Sequence, residues 1–93
     1  MNKYDKLIEV LEKNEQKTVV LSFKVKKNSI YCCGVLMPTV VQASQLMLNV
    51  NSIEVSINLE DITSWDIEEE AEELVIAINA NNNLRITLYF SEK

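Results

Sequence analysis

No histidine occurs in this sequence, and it has one glycine (Gly34), one proline (Pro38) and two cysteines (Cys32 and Cys33) in 93 residues. Without imidazole the chain lacks the usual general base near neutral pH and the commonest metal ligand. With one glycine, neither a dinucleotide fingerprint nor a P-loop can be written, and no glycine-rich loop can wrap a phosphate. The adjacent cysteines would point to opposite faces of a strand, so they form neither a disulfide framework nor a zinc site. They read as buried free thiols in a reducing compartment. A thiol nucleophile would also need an activating neighbour that the chain does not supply. The composition is therefore that of a non-enzymatic protein with no cofactor and no bound metal.

What remains is ordinary globular material, 47% hydrophobic and 25% charged. That balance suits a single folded domain, residues 1–93, with one modest core. The first residues, Met1 to Lys6, lack the apolar stretch of a secretory signal, and no run of about 18 apolar residues occurs anywhere. The expectation is a soluble protein of the cytoplasm with no membrane contact. Asparagine, lysine and isoleucine richness suggests an AT-rich coding sequence, compatible with a bacterial or phage source.

Periodicity gives the elements. Tyr4, Leu7, Ile8 and Leu11 recur at helical spacing, predicting a short amphipathic helix from Asn2, as N-cap, to about Lys13. Thr18 to Val25 alternates as a strand. Ile30 to Met37 is apolar on both faces and reads as a central strand, in which Gly34 marks a bulge or the close approach of another element. Residues 39–50 fit a loop followed by a strand near Leu46 to Val50, although Thr39 and Gln42 also resemble a helix capping box. Ile53 to Leu59 alternates with Ile53, Val55, Ile57 and Leu59 inward. Ile62 to Ile67 is a short strand, and Leu74 to Ala80 with Leu84 to Phe90 form a hairpin around Asn81-Asn82-Asn83. Ten asparagines are the substitute for glycine at turns, with Asn28, Asn51 and the triple run best placed. Phe23, Tyr31, Tyr89 and Phe90 fall at strand spacing and are core candidates. The fold class is α+β: a short N-terminal helix packed on a strongly twisted or half-barrel antiparallel sheet of about five to seven strands.

Charge is distributed unevenly. Residues 1–27 hold seven lysines and four acids, while residues 28–93 hold Arg85 and Lys93 against ten acids, giving −5 overall. The densest run is SWDIEEEAEEL, with Asp66, Glu68, Glu69, Glu70, Glu72 and Glu73 following the only tryptophan, Trp65. As a helix it would set like charges four residues apart with no lysine to offset them, so it reads as a connector into the final hairpin. It is either a solvated link or a docking face in which the carboxylates meet a basic surface beside a Trp65 anchor. Trp65 also suits a core position.

Two functions follow. The first is a small acidic protein-binding module that docks on a basic surface of a larger partner, as inhibitors and antagonists do. The second is an assembly protein forming a homo-oligomer through sheet-edge pairing by an apolar strand such as Thr18 to Val25 or Leu84 to Phe90. Direct nucleic-acid binding is disfavoured by the acidic balance, and the lysines at 17, 24, 26 and 27 read as protection of an edge strand.

Overall fold

The computed structural model describes residues 4–90. A helix α1 (Asp5–Lys13) is followed by β1 (Thr18–Val25), β2 (Asn28–Val35), β3 (Val40–Gln42), β4 (Gln45–Val50) and β5 (Ile53–Asn58). A 3-10 turn (Leu59–Asp61) leads into β6 (Ile62–Glu69), β7 (Leu74–Ala80) and β8 (Leu84–Phe90). The fold is α+β and antiparallel, as expected, but its strands form two sheets. One has five strands in the order β2-β1-β8-β7-β6, the other three in the order β3-β4-β5, and neither closes.

The helix is amphipathic in the manner its spacing requires, with Tyr4, Leu7 and Leu11 buried. The proposed cap Asn2 lies outside the described residues. Tyr4 occupies the N-cap position without a side-chain cap bond. At the other end, buried Asn14 donates from Nδ2 to the Val10 carbonyl at 2.8 Å and accepts from Lys17 Nζ at 3.0 Å, so its amide is satisfied.

The two sheets meet where β2 leaves β1. Leu36 still bonds back to the β1 side, its N–H donating to the Lys17 carbonyl and its carbonyl accepting from the Gln16 N–H. Met37 donates instead to the Asn49 carbonyl, and Leu36 forms an antiparallel bridge with Val50. One stretch of chain thus serves β1 on one side and β4 on the other. That turns the three-stranded sheet onto the inner face of the five-stranded one, and the core fills the space between: Val19, Leu21, Leu36, Leu46, Leu48, Ile76, Ile78, Ile86, Leu88 and Phe90 are fully buried. At about 1.5–3 kcal/mol per large apolar side chain, this stripe is the main source of stability.

Several expectations need correction. Ile30 to Met37 is not a central strand: β2 is an edge, and β1 and β8, the apolar strands proposed as free edges, are both interior. Lys17 and Lys24, beside and on the interior strand β1, therefore guard no edge, whereas Lys26 and Lys27 form the turn that leads into the edge strand β2. Cys33 and Tyr31 are exposed because they sit on the outer face of β2, and Cys32 is half-buried on the inner face. Positive φ occurs at Asn51, Asn82 and Asn83, but at Lys26 in place of Asn28, since Val25 pairs with Asn28 and leaves Lys26-Lys27 as the loop. Ala43 and Ser44 also take positive φ, which closes the β3-β4 hairpin with residues that seldom adopt left-handed backbone.

Gly34 marks a close approach and not a bulge, because β1 and β2 pair without a register shift. A Cβ there would overlap the side-chain amide of Asn51, which donates from Nδ2 to the Cys33 carbonyl at 2.8 Å. Gly34→Ala is expected to destabilise by about 1–3 kcal/mol in urea unfolding through overpacking. In a chain already carrying Asn51→Gly, which keeps the positive φ and removes the obstructing amide, Gly34→Ala is expected to cost far less than it does in the wild-type chain.

Candidate functional site

The acidic run does not form a helix. Its first half is the end of β6, where Trp65, Asp66, Ile67, Glu68 and Glu69 pair with Ile78, Ala77, Ile76, Val75 and Leu74 of β7. Its second half, Glu70 to Glu73, is the hairpin turn, closed by a Glu70 N–H to Glu73 carbonyl bond of 2.8 Å. Strand alternation separates the candidate residues. Trp65 and Ile67 turn inward and pack half-buried against the core, while Asp66 and Glu68 lie on the outer face. All six carboxylate residues are exposed, and among the described residues none of them forms an ion pair. The hairpin therefore brings the acids together at one corner of the large sheet but sets Trp65 on the opposite face from Asp66 and Glu68.

Among the described residues, Glu73 is the one of the six whose carboxylate accepts a hydrogen bond. Tyr89 Oη, on the outer face of β8, donates to Glu73 Oε2 at 3.0 Å, and this bond to a carboxylate raises the phenol above its ordinary value of 10.0, with lesser contributions from desolvation and from the carboxylate charge. Because the folded-state value is the higher one, the contribution is intact below pH 10 and fades as pH rises through the folded value.

A basic corner lies elsewhere on the same outer face. Lys24 pairs with Arg85 across β1 and β8, two like charges directly opposite each other. Arg85 Nη1 donates to Asn79 Oδ1 at 2.9 Å, and Asn79 Nδ2 donates to Ser64 Oγ at 3.1 Å, forming a polar row across the sheet. A shallow cavity of about 370 Å³ is lined by Lys24, Lys26, Asn79, Asn83 and Arg85 among others. Sequence reading missed Arg85 as a member of this corner, although its position opposite Lys24 was implicit once β8 was known to lie beside β1.

An apolar cavity of about 300 Å³ opens between the sheets, lined chiefly by Leu21, Phe23, Ile30, Cys32, Ile53 and Val55. Ile30 is 61% exposed and Ile53 43% exposed at its mouth. Alternation assigned Ile53 to the core; its position at the mouth of the cavity, at the start of β5, is what leaves it in water.

No group of three or more cysteine, aspartate or glutamate residues could hold a metal ion among the described residues, and no helix among them is long and apolar enough to cross a membrane. No protein-family model matches the chain, and comparison with curated proteins gives no match.

Glu73→Gln is expected to lower the titration midpoint of Tyr89 towards 10.0, followed by ultraviolet difference absorbance in alkaline solution with Tyr89→Phe identifying the signal. An unchanged midpoint would show that the Tyr89 hydroxyl does not depend on that carboxylate.

Proposed function

We propose that this chain is a small non-enzymatic protein-binding module that docks its β6-β7 hairpin on a basic surface of a larger partner and blocks or modulates it. The observation that carries the reading is the exposure of all six carboxylates, Asp66, Glu68, Glu69, Glu70, Glu72 and Glu73, none of which forms an ion pair among the described residues. The turn itself does not require them, since the cross-strand apolar pairs and the closing backbone bond already form it. The same charges produce a local negative potential that steers a basic partner and can raise association rates by about 10–10³.

Trp65 contributes differently from a free anchor. Packed on the core opposite Ile78, it stiffens β6 and so holds the acidic row in place. The outer wall of a twisted, half-barrel arrangement would present the hairpin as a projecting corner. The absence of imidazole and the two free thiols favour a binder working in a reducing cytoplasm, of inhibitor or antagonist type. Nucleic acid is a poor target for a chain with this net charge.

The test is capture of the partner from a lysate of the encoding organism, followed by binding kinetics with a variant carrying Glu68→Gln, Glu69→Gln, Glu70→Gln and Glu72→Gln. Glu73 is spared because Tyr89 uses it. The expected result is an unchanged fold with an association rate at least about tenfold slower at low salt and a flatter salt dependence. Equal rates for the two proteins across the salt series would remove the hairpin from the interface.

A further inference from the structure

The two edges of the five-stranded sheet are built differently. β6 carries Asp66, Glu68 and Glu69 and a register irregularity between Ile62 and Ser64, the usual devices that keep an edge from pairing with another chain. β2 has neither: Asn28 to Val35 holds no charge and no proline, and it pairs with β1 without interruption. Its side chains are apolar where an edge is ordinarily polar, with Ile30 61% and Tyr31 70% exposed.

The direction of its backbone groups follows from the bonds already described. Leu36 faces β1, whereas Met37 donates to β4 and the Cys33 carbonyl accepts from Asn51, so the odd-numbered residues point away from β1. Ser29 and Tyr31 therefore present N–H and carbonyl groups at the free edge.

We propose that a second copy of this chain pairs antiparallel with β2 about a two-fold axis at Tyr31, joining two five-stranded sheets into one. Tyr31 then lies opposite its own copy as a hydrogen-bonded pair, and Ser29 lies opposite Cys33, whose carbonyl keeps its bond from Asn51. The backbone bonds of the pair are thus those at Tyr31 and those from the Cys33 N–H to the Ser29 carbonyl. On the inner face Ile30 lies opposite Cys32, large against small, at the mouth of the apolar cavity that both residues line. The register is self-complementary, as an isologous interface requires.

Charge selects this occupant over a basic peptide. The facing span Ser29 to Cys33 has no carboxylate to attract a cation, and no charge to repel a copy. The acidic edge is four strands away, about 19 Å at about 4.8 Å per strand. That is more than two Debye lengths at physiological salt, about 8 Å each. The surface is independent of the acidic hairpin, so either can fail without the other.

Sedimentation velocity over the micromolar range tests it. The wild-type chain is expected to be a reversible dimer. Tyr31→Lys, which sets like charges opposite each other at the axis, raises the dimer Kd at least about tenfold while circular dichroism stays unchanged. Ile30→Lys does the same from the inner face, and Glu68→Lys on the other edge leaves the dimer intact. Tyr31→Cys in a chain also carrying Cys32→Ser and Cys33→Ser is expected to form an intermolecular disulfide on oxidation, because a hydrogen-bonded antiparallel pair sets its Cα atoms about 5.5 Å apart. A wild-type chain that stays monomeric throughout the range, or a dimer that survives both lysine substitutions on β2, overturns the proposal.

Discussion

The fold depends on the handover at Leu36. Up to that residue the chain completes the ladder with β1, and from Met37 it bonds to β4, so the sheets are held face to face by continuous backbone and one bridge. Leu36 is fully buried at the seam, and Gly34 and Asn51 fit together beside it because one lacks a side chain and the other needs the space. Without this junction the five-stranded sheet would expose Ile76, Ile78, Ile86 and Leu88 on its inner face.

Once the inner face is used for the core, the outer face and the rims are what the strands present to solvent. Alternation determines which side chains reach them: Asp66 and Glu68 go out because Trp65 and Ile67 go in, and Lys24 and Arg85 meet because Phe23 and Ile86 do. The result is an acidic corner at the β6-β7 turn, a basic corner near the β1-β2 and β7-β8 turns, and an uncharged edge along β2. These are three chemically distinct surfaces within the described residues.

Much of this was legible in the residues. The period of α1, the alternation in β1 and β5 and the final hairpin all reflect burial of one face, which leaves a local signature. Like charges at helical spacing correctly argued against a helix over the acidic run. Other features left none. Ala43 and Ser44 adopt a positive φ that such residues seldom take, so the β3-β4 hairpin was invisible, and the apolar pattern of β2 described a central strand equally well. The carboxylates were recognisable as a group, but their separation from the Trp65 face depended on which residues paired across β6 and β7.

The residues by themselves determined the chemistry the chain can offer, because composition alone removes imidazole and glycine loops, and they determined the strands, because burial on one face imposes a period of two. Strand order, the free edges and the companions of each charge were decided by tertiary structure alone. Those depend on pairings between segments far apart in sequence, where many arrangements bury similar area and only the joint packing at Leu36 and Gly34 selects among them.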